Sequence, residues 1–129
     1  MSSAGAAPKK ITSFRDLIVW QRSMDLIERL HPALLQLPRE ELFALNTQIR
    51  KSALSIPSNI SEGHDRRNKG EFLYFLGIAR GSLAELQTQI LVAGRLRYWR
   101  EDRVEEFLAT TVEISKMINA LMKSLERSK

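Results

Sequence analysis

The chain has 129 residues, 43% of them hydrophobic and 27% charged, which suits one globular domain with a single core. It has no cysteine and two histidines, which excludes disulfide bonds, thiolate zinc sites and thiol nucleophiles, so we expect no metal and no cofactor. Lys and Arg outnumber Asp and Glu by 20 to 15, and the net charge of +5 weakly favours polyanionic partners.

The opening residues, 1–12, predict a flexible tail ahead of a domain that covers 13–127. They lack the apolar segment of a signal peptide, and no stretch of the chain approaches the ~20 apolar residues of a membrane span. We therefore expect a cytoplasmic protein that makes no membrane contact.

The domain shows helical periodicity in four segments, and none of them alternates like a half-buried strand. The predicted helices cover about 14–37, 39–62, 69–98 and 103–126. Because the connections are short, neighbouring helices should be antiparallel. The sequence therefore predicts an all-α fold, an antiparallel up-down-up-down four-helix bundle.

The first predicted helix has an N-cap candidate, Ser13, with Asp16 three residues later. Two apolar stripes follow, which make the apolar face wider than one bundle core requires. The surplus predicts a subunit interface in a homo-oligomer. One stripe holds Trp20, Met24, Ile27, His31 and Leu34, the other holds Val19, Leu26, Leu30, Ala33 and Leu37, and the interface candidates are Val19, Trp20, Leu26, Leu30 and His31.

The second predicted helix combines an apolar core face with a polar stripe that is almost uncharged. Such a stripe can pack against a neighbouring helix through hydrogen bonds. Asn46 could restart the helix as an N-cap, Pro57 predicts a local kink, and Gly63 is placed to end the helix as its C-cap. The stripe holds Gln48, Ser52, Ser55, Asn59 and Glu62.

The last two predicted helices open with capping-box patterns, Asn68 to Glu71 and Asp102 to Glu105. Gly77 and Gly81 lie in the middle of the third helix, where glycine costs ~1 kcal/mol relative to alanine. Close approach of a neighbouring backbone would explain them.

Nothing in the sequence indicates catalysis. It contains no phosphate-binding loop, dinucleotide fingerprint, serine nucleophile elbow or His-Glu-x-x-His motif. Glu62, His64 and Asp65 form no spaced ligand set for a metal ion. We predict that the protein is not an enzyme and has no catalytic residue.

The charges become uneven once the helices are folded into an antiparallel bundle. One end collects nine basic residues against five acidic ones, a pattern that favours salt-sensitive contact with the phosphates of RNA or DNA. Arg50 and Lys51, which lie off the predicted core face of the second helix, are weaker candidates. The predicted phosphate contacts at the basic end are Lys9, Lys10, Arg66, Arg67, Lys69 and Arg127.

Three ordered blocks resemble the signature of a known family. They are "FRDLIVWQ" (14–21), "QIRKSALSIPSNISEG" (48–63) and "FLYFLGIARGSLAELQTQILVAGRL" (72–96). They resemble the four-helix-bundle family encoded in intervening sequences of bacterial 23S rRNA genes, which includes the accessory protein of diversity-generating retroelements. The resemblance implies a non-enzymatic homopentamer and, in the retroelement branch, one that binds reverse transcriptase and nucleic acid.

Two hypotheses about function follow. In the first, the protein is a homo-oligomeric nucleic-acid-binding or nucleoprotein accessory protein. In the second, it is a protein–protein interaction scaffold without direct nucleic-acid binding, in which the apolar stripes and Arg95, Arg97 and Arg100 dock a protein partner.

Overall fold

The computed structural model describes residues 10–128, which form four α-helices and no strand. They are α1 (Ile18–Leu34), α2 (Leu45–Asp65), α3 (Lys69–Arg95) and α4 (Glu101–Arg127). The predicted all-α four-helix bundle is confirmed. Within the described part, no helix is both long and apolar enough to cross a membrane. Residues 1–9 of the predicted tail, Lys9 among them, lie outside the described residues.

The helices pack in chain order around a square. α2 packs most extensively against α3, α4 packs against α3, and α1 closes the square against α2 and α4. The three residues 66–68 join α2 to α3, so these two helices run antiparallel. Ion pairs from Arg22 to Glu113, at 3.6 Å, and from Arg29 to Glu106 hold α1 beside an antiparallel α4.

The core consists mainly of aliphatic side chains that recur at steps of three and four on all four helices, and it also includes Trp99 and Phe107. Val19, Leu26 and Leu30 of α1 belong to it, with at most 5% of their surface exposed. This burial corrects the predicted interface set, because these three side chains already pack inside their own chain. Trp20 is half-buried and His31 is exposed, so these two predicted interface residues remain at the surface.

The predicted first helix is two elements. A 3-10 turn, Phe14–Asp16, is separated from α1 by Leu17, whose backbone is extended (φ −74°, ψ 125°). The predicted capping box of Ser13 and Asp16 is confirmed, but it caps the 3-10 turn. The Asp16 carboxylate also accepts from the Thr12 N–H at 3.0 Å, which fixes the entry of the chain.

α1 ends at Leu34, three residues earlier than predicted, and distant side chains donate to two of its last carbonyls. The Trp99 indole N–H donates to the Ala33 oxygen at 2.9 Å, and the Asn46 amide donates to the Leu34 oxygen at 3.1 Å. Asn46 is therefore buried inside α2, and its predicted role as an N-cap is wrong. α2 begins at Leu45, after a second 3-10 turn, Arg39–Glu41, and not at residue 39 as predicted.

α2 runs to Asp65, so the predicted C-cap role of Gly63 is wrong. Gly63 is buried against α3, where an added Cβ would lie 2.8 Å from the Cβ of Phe75. The glycine is thus required by close packing between the two helices. The chain leaves α2 at Arg67, whose φ of 56° is left-handed.

The predicted polar stripe of α2 does bind a neighbouring helix through hydrogen bonds. The hydroxyl groups of Ser55 and Ser82 lie 2.7 Å apart across the α2–α3 contact. Asn59 donates to the backbone oxygen of Ser55 at 2.8 Å. Pro57 is buried within α2 and removes the backbone donor that would otherwise reach the Ala53 carbonyl.

The α3–α4 corner also differs from its prediction. α3 opens after the predicted N-cap Asn68, but it ends at Arg95 and not at residue 98. Arg97 has a left-handed φ of 64°, and the Tyr98 N–H returns to the Ala93 oxygen at 2.9 Å. α4 begins at Glu101, so the capping box predicted at Asp102 is wrong.

Candidate nucleic-acid interface

The predicted basic end assembles from three separate parts of the chain. The Lys69 ammonium group at the start of α3 donates to the Ser128 carbonyl, just beyond α4. Ile11 and Leu17 line a surface hollow together with Met117 and Leu121 of α4. The α2–α3 corner, the end of α4 and the entry segment therefore share one end of the bundle. We call this the basic end, and its described bases are Lys10, Arg15, Arg66, Arg67, Lys69, Lys123 and Arg127.

The corner between α2 and α3 has a fixed backbone. The Arg66 N–H donates to the Glu62 oxygen at 3.2 Å, and the Arg67 N–H donates to the His64 oxygen at 3.3 Å. Asn68 then caps α3 by accepting from the Glu71 N–H at 2.9 Å. Because each residue of the corner is bonded, Arg67 projects from a defined position.

Arg66 is less available to a phosphate than the sequence predicts. Its guanidinium group lies 2.8 Å from the Glu62 carboxylate and 3.4 Å from the Glu71 carboxylate. It also lies over the Phe75 ring, 5.1 Å from the centroid. The hydrogen bond to Glu62 is the main reason why the pKa of Arg66 is raised above its usual value. Two acidic neighbours therefore offset its charge.

The other bases of the basic end keep their charge unopposed by a carboxylate within the described residues. Lys69 bonds to a backbone carbonyl, a neutral partner that leaves its positive charge in place. All of these side chains are exposed. The group comprises Lys10, Arg15, Arg67, Lys69, Lys123 and Arg127.

Arg50 and Lys51 are not part of the basic end. They lie on the half of α2 farther from the corner, and the 16 residues from Arg50 to Arg66 correspond to about 24 Å of helix. The Arg50 side chain donates to the Asn46 amide oxygen at 2.7 Å. The structure therefore separates these two predicted phosphate contacts from the others.

His64 lies at the basic end, where it contacts one aromatic ring and one carboxylate. Its ring meets the Phe72 ring edge-on, with centroids 5.8 Å apart, and its Nδ1 atom lies 3.7 Å from the Asp65 carboxylate. This Nδ1 atom is buried and has no hydrogen bond. In residues 10–128, no three His, Asp or Glu side chains cluster closely enough to hold a metal ion.

The opposite end carries a hydrogen-bond network that the sequence did not reveal. The Tyr98 hydroxyl donates to the Glu41 carboxylate at 2.7 Å, and Arg103 donates to the Gln36 amide oxygen at 2.7 Å. The bond to Glu41 is the main reason why the pKa of Tyr98 is raised. Each pair joins residues more than 50 positions apart, so no local spacing pattern could have found them.

A surface hollow of about 620 Å³ lies beside this network, at the α3–α4 corner. Arg95, Arg97 and Arg100 line it, together with the buried Trp99. These arginines are the ones that the sequence assigned to a protein partner.

Comparison with known proteins identifies the family. The sequence model for the 23S rRNA-intervening sequence protein matches residues 15–120, from the first 3-10 turn to most of α4. This chain belongs to the 23S rRNA-intervening sequence protein family. No curated protein matches the sequence.

A solved structure confirms the fold of this family member. A protein with unknown function from the S23 ribosomal protein family of Bacteroides thetaiotaomicron superposes on the chain with a TM-score of 0.76. The two sequences are 24% identical, and the alignment covers 82% of this chain and 96% of the other. At this identity the likeness concerns the fold alone.

The family match divides the basic end into two parts. Arg66, Arg67 and Lys69 at the α2–α3 corner lie inside the matched region. Lys10 and Arg127 lie outside it. The corner, together with Arg15 of the entry segment, is therefore the part of the basic end that lies inside the family match.

Proposed function

We propose that this 23S rRNA-intervening sequence family member is a non-enzymatic, homo-oligomeric nucleic-acid-binding or nucleoprotein accessory protein. Its basic end contacts the phosphate backbone of RNA or DNA. The observation that carries the proposal is the group of exposed bases without a carboxylate partner around the α2–α3 corner, with Arg67 and Lys69 at its centre.

The chemistry of this end fits a phosphate backbone better than a base edge. Exposed Lys and Arg side chains attract phosphates and release counterions, which gives affinity that falls steeply with salt. Helix ends and charged side chains that touch only the backbone provide little sequence information. We therefore infer binding that depends on salt and on nucleic-acid shape more than on sequence.

The wider setting is part of the same proposal. The sequence blocks resemble accessory proteins of diversity-generating retroelements, so a reverse transcriptase is a further candidate partner. The same resemblance favours a pentamer as the assembled form, and we place this assembly in the cytoplasm.

A matched pair of double variants tests the proposal. Arg67→Asn with Lys69→Gln removes two charges at the basic end, while Arg97→Asn with Arg100→Gln removes two at the opposite end. Each pair includes one left-handed residue, and Asn tolerates that backbone conformation. Fluorescence anisotropy with a labelled RNA hairpin and a DNA duplex should show weaker binding for the first pair and nearly unchanged binding for the second.

Salt dependence provides the second readout. The slope of log affinity against log salt should become less steep by roughly 0.7 to 0.9 for each phosphate that the first variant no longer neutralises. Binding of wild-type protein that does not change between low and physiological salt would refute the proposal, as would equal losses of affinity in the two variants.

A protein–protein scaffold is the second candidate. It is favoured by Phe43, which is 90% exposed on the connection before α2, and by the hollow lined by Arg95, Arg97 and Arg100. An aromatic side chain and arginines are typical anchors of protein interfaces. This candidate predicts that a pull-down recovers one dominant protein, that nuclease does not release it, and that Phe43→Ala does.

A further inference from the structure

The outer face of α3 carries few charges for a surface helix. Nine residues between 74 and 92 are exposed, and only Arg80 and Glu85 among them are charged. In the comparable stretch of α4, residues 101–120, six of ten exposed residues are charged. Arg80 points toward α4, where it donates to Asn119 at 2.9 Å. The outer face of α3 thus has the composition expected of a helix that packs on both sides.

Two glycines on this face have no explanation inside the chain. A Cβ added at Gly77 or Gly81 would meet no atom within 4 Å. The expected close neighbour is therefore absent from the bundle itself, although glycine lowers helix stability at both positions. Glycines four residues apart on one face allow another helix to approach closely.

The second surface is the groove between α1 and α2, where the side chains leave a small hollow. Leu54 of α2 is 54% exposed, His31 of α1 is exposed beside it, and Met24 of α1 is also exposed. Ile27, His31, Arg50 and Leu54 are among the residues that line a small hollow of about 70 Å³ in this groove. Large apolar side chains thus edge the α1–α2 groove, while the outer face of α3 combines exposed apolar side chains, such as Tyr74 and Leu91, with the two glycines.

The outer face of α3 and the α1–α2 groove carry opposite charges at the same level along the bundle axis. The Ser55–Ser82 contact sets these two residues level along the bundle, so Glu85 lies close to the height of Arg50 and Lys51. Neither Glu85 nor these two bases has an ion-pair partner within the described residues. Two copies side by side would bring the carboxylate of one against the bases of the other.

We propose that the outer face of α3 docks into the α1–α2 groove of a second copy of this chain. The two surfaces differ, so the contact is head-to-tail, and it closes into a ring when the rotation between copies allows. A nucleic acid would fit the outer face of α3 poorly, because the charged side chain that points outward from this face is the acid Glu85. This inference rests on the homo-oligomer of the proposed function and names its faces, with Arg50 and Lys51 as interface residues.

Leucine substitutions test the docking without disturbing the fold. Gly77→Leu and Gly81→Leu add bulk that meets nothing inside the chain, so circular dichroism should stay unchanged. Light scattering should show a shift from the oligomer toward the 14.8 kDa monomer. Ala109→Leu, on the exposed face of α4, is the matched control and should keep the wild-type mass.

A charge exchange tests the register. Glu85→Lys alone, or Lys51→Glu with Arg50→Glu, places like charges in contact and should raise the dissociation constant at least about tenfold. All three changes in one chain restore opposite charges at every head-to-tail contact and should recover association.

The outcomes separate this inference from the proposed function. An oligomer that keeps its mass in both leucine variants and in the charge variants refutes the α3 docking and leaves homo-oligomerisation standing. A wild-type monomer at micromolar concentration refutes both. Nucleic-acid binding is measured on the same samples, so its loss or survival is scored independently of mass.

Discussion

The indole N–H of Trp99 donates to the carbonyl oxygen of Ala33 across 66 positions of sequence, at 2.9 Å, in a buried site. Trp99 lies in the connection between α3 and α4, and Ala33 lies in the last turn of α1, so this one bond ties that connection to the end of α1. The Ala33 oxygen also accepts from the Gln36 N–H at 3.1 Å, so the indole is a second donor to this carbonyl.

Trp99→Phe should therefore destabilise the fold. The phenyl ring keeps most of the apolar contact but loses the buried hydrogen bond to the Ala33 carbonyl, which keeps its Gln36 donor, at a cost of about 0.5–1.5 kcal/mol. Urea unfolding followed by circular dichroism measures the change. Tyr74→Phe, at an exposed position with no hydrogen bond to the hydroxyl among the described residues, is the control and should change stability by less than about 0.5 kcal/mol. Equal stability of Trp99→Phe and wild type would contradict this role.

Two glycine-to-alanine substitutions should have opposite effects on the free energy of unfolding. Gly63→Ala places a Cβ 2.8 Å from that of Phe75 and should cost about 1–3 kcal/mol, because α2 and α3 must move apart. Gly77→Ala meets no atom and should add up to about 1 kcal/mol to the monomer through helix propensity. Thermal unfolding at low protein concentration compares the two, and a loss of the same size at both positions would exclude the packing explanation for Gly63.

The serine pair between α2 and α3 predicts a non-additive result. Ser55→Ala or Ser82→Ala alone leaves the other hydroxyl without its 2.7 Å partner and should cost about 1 kcal/mol. The double variant removes both polar groups and should cost less than the sum of the singles. A double-mutant cycle from urea unfolding measures the coupling, and strict additivity would mean that the two hydroxyl groups do not interact.

The raised pKa of Tyr98 predicts a loss of stability in alkali. The hydrogen bond to Glu41 favours the protonated phenol in the folded state, so the folded pKa lies above the unfolded value of about 10. The stabilisation is complete below pH 10 and decreases as the pH rises through the folded pKa, because the unfolded state then loses its proton first. Unfolding measured between pH 8 and 11 should show this decrease in wild type and a smaller one in Tyr98→Phe.

The bundle itself was predictable from the sequence because helical periodicity depends on residues three and four positions apart. Two helix caps could be predicted for the same reason, because Ser13 and Asp16, like Asn68 and Glu71, are close both in sequence and in the structure. The N-cap prediction for Asn46 was wrong because its amide donates to the Leu34 carbonyl of α1, and no local sequence pattern contains this tertiary partner.

The basic end was predictable in outline and not in detail. Antiparallel helices necessarily bring the α2–α3 corner to the end of α4, and Lys69 does meet Ser128 there. How available each base is to a phosphate depends on its side-chain contacts. Arg66 has the same charge as Arg67, yet it lies between the carboxylates of Glu62 and Glu71. The predicted interface also depended on burial, which the sequence did not give: Leu26 and Leu30 lie in the core, while His31 is exposed.

The unequal packing of the helices has a consequence for local unfolding. α2 and α3 are joined by a three-residue corner, by the Ser55–Ser82 bond and by the close contact at Gly63, while α1 rests on an underfilled groove. Amide hydrogens of α2 and α3 should therefore exchange only on global opening, and those of α1 should exchange earlier as a separate unit. Binding of a second copy in the groove would slow exchange in α1 most, which makes α1 a direct reporter of assembly.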